Sequence, residues 1–449
     1  MHEENTKKVI TRFAPSPTGF LHIGAYRTAI FSYLYAKKHN GTFVLRIEDT
    51  DKDRSKKEYE ENIIESLKWL GLEYDEFYRQ SDNKNKHKQY LEKMISEGTA
   101  YISKEEAKDG SGLIKELIRF KNPNIEISFN DEIKGKITVD TTDLGDFVIA
   151  RNIDEALYHF AVVVDDFEEG ITHVIRGEDH TSNTPRQILI QRAIGAREPV
   201  YAHLPLVLGK DKLKLSKRRG ALSIIEYQKL GYLPEAILNG VAFVGWNPGT
   251  PLEIFTHKEL VQAFSLKRVQ KSPAIFNQDK LDWFNKEHIN KLSYGDLKEN
   301  IFKYLPEVLK NLSKEKIEKI IFLIKDRISK WSDVEKIVEE GELDFFSKQI
   351  EYGKEKLLYK NSNFEKTSTY LKLAIEKLRE LDKENFKIED IKNTLMSIAD
   401  NLSNRGELLH PVRIALSGMD KSPDPFTIAF ILGKEETLNR LEKAIEKID

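Results

Sequence analysis

Residues 9–49, "VITRFAPSPTGFLHIGAYRTAIFSYLYAKKHNGTFVLRIED", decide how the chain is built. They read as strand, turn, helix and strand. "KKVITRFA" is short, β-branched and bounded by Pro15, and over 25–38 Ile30, Phe31, Leu34 and Tyr35 recur at helical spacing. Gly41 reads as the stop of that helix. "TFVLRIED" is a second strand, and 54–70 a second helix with Ile63, Ile64, Leu67 and Leu70 on one face. A strand–helix–strand crossover of this length closes a βαβ unit, and so a parallel sheet. The turn over 14–25 holds Gly19, Gly24, two prolines and His22, and fits neither G-x-G-x-x-G nor G-x-x-x-x-G-K-[ST]. In a parallel sheet, ligands bind beyond the carboxyl ends of strands, where a helix N-terminus offers free N–H groups to an anion. Gly19 and Gly24 allow close backbone approach, and His22 can donate to a phosphate oxygen. A strand-to-helix turn with an incidental histidine is the competing reading.

Composition bounds the rest. At 449 residues the chain exceeds one ordinary core, giving roughly two to four domains. Lys plus Arg number 71 against 73 Asp plus Glu, a net charge of −2, so a nucleic-acid partner would have to be met by local patches. Cysteine is absent, which excludes disulfides and thiolate zinc sites and agrees with a cytoplasmic setting. No apolar run reaches the ~18 residues that span a bilayer, and "MHEENTKKVI" lacks the apolar core of a signal peptide. The expectation is a soluble intracellular protein without a membrane partner.

Between about 98 and 146 the α/β pattern is broken by "DGSG" (109–112), "NPN" (122–124) and short β-like runs, which read as an insertion. Strands resume with "YHFAVVVDD" (158–166) and "ITHVIRGED" (171–179), followed by a helix over 185–194 and the strand-like "VYAHLPLVLG". After "GWNPGTP" (245–251) strands largely vanish. Thr256 and Glu259 form a capping-box pattern, and Ile317, Ile320, Ile321, Ile324, Ile328 and Trp331 trace one stripe of a long helix.

"KDKLKLSKRRG" (210–220) sets Lys210, Lys212, Lys214, Lys217, Arg218 and Arg219 against one acid, Asp211. Such a loop after a strand can close over a polyphosphate and neutralise charge developing in the transition state; taken alone, it reads as a solvated basic loop, as most charge runs do. The pair is more specific than its parts. "HIGA" and "KLSKR" resemble the HIGH and KMSKS signatures of class I aminoacyl-tRNA synthetases. "RFAPSPTGFLHIGAYRTAIF", "RIEDTD", "YHFAVVVDD", "VIRGEDH" and "HLPLVLGKDKLKLSKRRGA" resemble the glutamyl-tRNA synthetase family, as do residues 255–285 and, near the end, "HPVRIALSGMDKSPDPF" (410–426).

That resemblance implies an α/β Rossmann-type catalytic domain with an inserted α+β acceptor-binding domain, followed by all-α stem-contact and anticodon-binding domains. The expected boundaries are 1–80 and 156–240 for the two catalytic halves, 81–155 for the insertion, 241–305 for the stem-contact domain and 306–449 for the anticodon-binding domain. The family activates L-glutamate with ATP and transfers it to the terminal adenosine of tRNA(Glu). Neither step needs a protein nucleophile, so catalysis is positioning and charge stabilisation. Carried onto this sequence, the catalytic residues are His22, Lys214 and Lys217. ATP falls to His22, Gly24, Asp179 and Lys217, with Mg²⁺ arriving on the nucleotide. Glutamate falls to Arg12, Ser16, Glu48, Tyr158 and Arg176, with two arginines for two carboxylates and Glu48 for the ammonium. The family expectation is a monomer; a non-discriminating enzyme that also charges tRNA(Gln) is the alternative. Three positions depart from the pattern. Val162 stands where relatives often carry a polar residue, Ala25 ends the HIGH-type motif, and no zinc is expected because the insertion has no cysteine.

Overall fold

A computed structural model describes residues 8–106, 114–216, 220–347 and 350–449. The chain divides into two compact units, Met1–His288 and Ile289–Asp449. In the first, β1 (Ile10–Phe13), α1 (Ile23–Lys38) and β2 (Thr42–Ile47) form the expected βαβ unit, and α2 (Lys57–Trp69) leads to β3 (Glu76–Arg79). α3 (Lys84–Ser96) precedes six strands: β4 (Ala100–Glu106), β5 (Ile114–Phe120), β6 (Glu126–Asp131), β7 (Gly135–Asp140), β8 (Phe147–Asn152) and β9 (Glu155–Ala156). Then come α4 (Tyr158–Glu168), β10 (His173–Gly177), α5 (Thr184–Ile194) and β11 (Val200–Leu204).

The main sheet runs β3-β2-β1-β10-β11-β6-β7. Its first five strands are parallel. β2 is buried at all six positions because both faces are covered. Phe43, Leu45 and Ile47 pack into one apolar cluster with α1, and Val44 into the other with α4 and α5. β4, β5, β8 and β9 form a separate antiparallel sheet, its core including the stacked Phe120 and Phe147 rings 5.1 Å apart. The β6–β7 hairpin belongs instead to the main sheet, meeting β11 in parallel at Tyr201 and Asp131.

Residues 158–166 are the first correction: they are helical, not a strand. A short apolar run with three valines fits a buried strand or a buried helix equally by period, and packing decides. Here Phe160, Val162, Val163 and Val164 are all buried in one core, and Gly170, at φ +68, ends the segment by letting Ile171 N–H reach back to the Asp166 carbonyl. Gly41 is the second. Asn40 takes the left-handed conformation after α1 (φ 51), whereas a Cβ on Gly41 would lie 2.2 Å from the Val9 carbonyl oxygen. That glycine is there for close approach between the β2 entry and the β1 entry.

The rest of this unit comprises β12 (Val207–Leu208) paired with β13 (Ala274–Ile275), and helices α6 (Ile224–Lys229), α7 (Pro234–Ala242), α8 (His257–Ala263) and α9 (Gln278–Asn290). Thr256 and Glu259 do form the capping box of α8, with both reciprocal bonds present. The second unit is helical throughout its described residues, from Tyr294–Phe302 to Lys434–Ile448. Its stripe of isoleucines is buried, but the helix stops at Arg327; Ile328 is extended and Trp331 precedes a new helix, Ser332–Glu339. No helix among the described residues is long and apolar enough to cross a membrane.

Gly41→Ala forces a methyl into the Val9 backbone. It is expected to destabilise the first unit by about 1–3 kcal/mol, read as a lowered transition in calorimetry. Burial also pushes His159, His173 and His180 down from 6.5 to about 4. The unfolded chain therefore binds more protons between those values, so stability falls as pH drops from 6.5 towards 4. His173→Gln is expected to flatten that decline in Tm against pH.

Candidate active site

Beyond the carboxyl ends of β1, β2 and β10, the turn after β1, the start of α4 and the loop after β12 line a cavity of about 350 Å³. Arg12, Ser16, His22, Gly24, Glu48, Tyr158, Arg176, Asp179 and Lys214 all border it. Lys217 lies outside the described residues. Tyr158, expected on a strand, is instead the first residue of α4, and its hydroxyl lies 3.0 Å from His180 Nδ1.

One wall is built on buried charge. Arg46, with no exposed surface, reaches Glu169 at 2.7 Å, Asp166 at 2.8 Å and Glu48 at 3.2 Å. Arg12 Nε donates to Asp166 at 3.1 Å, which leaves both Nη atoms of Arg12 without a described hydrogen-bond partner. Burial works against the Arg46 charge, but Asp166, Glu169, Glu48 and Asp165 outweigh it and raise its pKa. Asp166 is held below the carboxylate range although burial opposes this, because Arg12 and Arg46 both face it. Burial raises Glu48 against the pull of Arg46 and Arg12, and pushes Glu169 up to about 8 against Arg46. Two guanidiniums thus face four carboxylates, Glu48, Asp165, Asp166 and Glu169, of which burial keeps Glu169 largely protonated at neutral pH. The one that lines the cavity is Glu48, so it is the carboxylate placed to meet a ligand cation.

Arg176 has different company. Nε lies 3.2 Å from His203 Nε2, and Nη2 donates to Thr184 Oγ1 at 2.9 Å and Gln187 Oε1 at 2.7 Å. Its guanidinium also lies 5.6 Å from the centroid of the Tyr201 ring. No carboxylate among the described residues pairs with it, and burial lowers its pKa. A buried guanidinium with neutral partners and an unfilled edge is poised for an anion.

The other end suits a nucleotide. His22 is the N-cap residue of α1, its side chain makes no capping bond, and the first turn of α1 holds no acid. The helix N-terminus therefore keeps its positive end uncompensated by any acid of that turn. A Cβ on Gly24 would lie 2.9 Å from His22 Nδ1, so this glycine makes room for the His22 ring. Lys214 Nζ donates to Asp179 Oδ2 at 3.0 Å. Both side chains are about half exposed (60% and 47%), so this pair holds weakly and can open to a phosphate.

Three contributors had no place in the sequence reading. Arg46 reads as a charged residue in a strand, and only the helical Asp165–Asp166 pair explains it. His180 stood within "VIRGEDH" without a role. Arg27, on α1, donates to the carbonyls of Pro205 and Val244 and borders the cavity; a helical spacing alone gives no sign of that.

The family described as class I tRNA synthetases (E and Q), catalytic domain, matches residues 8–109 and 102–283, and an anticodon binding domain family matches 296–445. The chain is 42% identical to a glutamate–tRNA ligase of Aquifex aeolicus, over 98% of this chain and 99% of that protein. It is 39% identical to glutamate–tRNA ligase 1 of Petrotoga mobilis, over 97% of each. Among solved structures, a glutamate tRNA ligase from Elizabethkingia meningosepticum in complex with its amino acid superposes with a TM-score of 0.81 at 33% identity, covering 99% of this chain and all of that one. With a Rossmann-type sheet, a helical second unit and near-complete coverage, the chain belongs to the glutamate–tRNA ligase family of class I aminoacyl-tRNA synthetases.

Proposed function

We infer that the chain activates L-glutamate with ATP, forming glutamyl-adenylate and pyrophosphate, and transfers the glutamyl group to the 3′-terminal adenosine of tRNA(Glu). The observation that carries the assignment of the cavity is its complement of charge. Two arginines, Arg12 and Arg176, present unfilled guanidinium nitrogens, and one buried carboxylate, Glu48, lines the same cavity. Glutamate brings two carboxylates and one ammonium, which is the mirror of that set. In this reading Arg176 and Tyr158 take the side-chain carboxylate, Glu48 takes the ammonium, and Ser16 closes that side.

Activation needs the α-carboxylate placed in line with the α-phosphate and the departing pyrophosphate stabilised. His22 and the N-terminus of α1 would hold the phosphates, Gly24 would keep the His22 ring in place, and Lys214 and Lys217 would neutralise the leaving charge. Asp179 would hold Lys214 until the nucleotide displaces it. Mg²⁺ would arrive with the nucleotide, where it would neutralise phosphate charge. Residues 81–155 would meet the acceptor end and 306–449 the anticodon, in the cytoplasm where tRNA is charged.

Charging of a tRNA(Glu) transcript tests this directly. Truncating one partner of a buried charge pair costs about 2–5 kcal/mol, so Arg176→Ala is expected to raise the glutamate KM by ~30-fold or more, with the ATP KM little changed. An unchanged glutamate dependence removes Arg176 from the pocket. Lys217→Ala is expected to lower kcat by ~100-fold with little effect on the glutamate KM; turnover within a few-fold of wild type removes that loop from the phosphates.

A further inference from the structure

Asp131 ends β6, on the hairpin that the insertion contributes to the main sheet. Its carboxylate accepts four hydrogen bonds. Oδ1 takes the backbone N–H groups of Ile133 at 2.9 Å and Lys134 at 2.7 Å. Oδ2 takes the backbone N–H of His203 at 3.0 Å and its ring Nδ1 at 2.6 Å. Neither Asp131 nor His203 has an exposed side chain, and neither borders the cavity.

The far side of the His203 ring meets Arg176. Nε2 lies 3.2 Å from Arg176 Nε and 3.1 Å from Thr184 Oγ1. A guanidinium N–H can only donate, so Nε2 must accept. The imidazole is then neutral, with its hydrogen on Nδ1, and Asp131 receives that hydrogen. Burial keeps the ring from protonating, since it lowers the His203 pKa despite Asp131. With Nε held by His203 and Nη2 by Thr184 and Gln187, the nitrogen of Arg176 with no described hydrogen-bond partner is Nη1.

We propose that Asp131 and His203 are positioning residues for the amino-acid pocket: the hairpin carboxylate fixes the His203 tautomer, and His203 fixes the rotation of Arg176, so that Nη1 is aimed at the side-chain carboxylate of glutamate. The proposal rests on the assignment of Arg176 to that carboxylate. It makes the inserted hairpin, and not only the catalytic halves, a determinant of glutamate affinity. The logic is that of an outer group orienting a histidine and the histidine orienting the group that touches the ligand.

Asp131→Asn probes the first link. All four partners of the carboxylate are donors, so an amide sets its NH₂ against N–H groups in either orientation, or turns the histidine to the wrong tautomer. His203→Asn and His203→Gln probe the second. Asparagine keeps a polar group near Nδ1 but gives Arg176 no acceptor; glutamine can return an acceptor near Nε2. In full-length enzyme at saturating tRNA, Asp131→Asn and His203→Asn are each expected to raise the glutamate KM by ~10-fold, with the ATP KM within about twofold. His203→Gln is expected to stay within about threefold of wild type, and Asp131→Asn to add no further rise in an Arg176→Ala background, because the two act through one group.

A purely structural role predicts something else. Asp131→Asn would then raise the KM for both substrates or lower kcat alone, and its effect would persist in the Arg176→Ala background; that result overturns the relay. A glutamate KM left unchanged by Asp131→Asn and His203→Asn also overturns it. If Asp131→Asn does not fold, the contrast between the two His203 variants decides, and equal effects of asparagine and glutamine reject the proposal. Should Arg176→Ala alone leave the glutamate KM unchanged, the pocket assignment itself fails and the relay fails with it.

Discussion

The Arg46 guanidinium, fully enclosed on β2, gathers Glu48 from just beyond its own strand, Asp166 from α4 and Glu169 from the C-cap of α4. Taking an arginine out of water costs several kcal/mol, and only close, well-directed carboxylates return that energy. The geometry of those carboxylates is therefore tightly constrained. α4 must present Asp166 and Glu169 inward, which fixes its rotation and places Tyr158, at its first turn, beside the cavity. Asp165, immediately before Asp166, is also drawn inward, where His87 at 2.7 Å and Gln80 at 2.8 Å tie it to α3 and the turn before it. One buried cation thus sets the relation of β2, α4 and α3 around the site. The same cluster holds Glu48 at the edge of the cavity, so the scaffold and the charge lining the cavity are one arrangement.

A site of this kind works by placement. In the function proposed above its groups would divide between guanidiniums for carboxylates, a carboxylate for an ammonium, and a helix N-terminus with histidine and lysine for phosphates, and none would be a nucleophile. That division would follow the sheet. The amino-acid side would rest on β1, β2 and β10, whose side chains are mostly buried, and the phosphate side on the turn before α1 and the loop after β12, where Lys214 and Asp179 are half exposed. A buried recognition side beside a more open phosphate side would let the amino acid be held while the leaving group is met by groups that can move.

Much of this was legible in the sequence, and what was not has specific causes. The βαβ unit is legible in period and length, and the family motifs carry cavity residues as far apart as Arg12 and Lys214. α4 reads as a strand because "YHFAVVVDD" holds an unbroken apolar run, Phe160 to Val164, in which no period separates a strand from a buried helix. Gly41 was read as a helix stop because glycine is common there, yet its neighbour Asn40 takes the left-handed turn and Gly41 serves a backbone contact that no local pattern records. Asp131, His203, Arg46 and Arg27 were invisible for another reason. Each is a polar residue whose partner lies far along the chain, 72 residues in the case of Asp131 and His203, and spacing carries no signal of such pairs.

Val162 shows how the two levels meet. At the sequence level it is a missing polar group at a position where relatives often have one. In the structure it sits four residues after Tyr158 on α4, is 2% exposed and joins the apolar core. Positions four apart share a helix face, so the face that begins with Tyr158 at the cavity continues directly into packed hydrocarbon. A polar substrate atom turned towards that layer would lose its water without gaining a partner, at a cost of about 1–3 kcal/mol. In the proposed pocket that apolar layer would act by exclusion, leaving the polar ends of the amino acid to the arginines, Glu48 and Tyr158. The orientation of Arg176 would then matter more than in a pocket where an additional side chain on α4 shares the load.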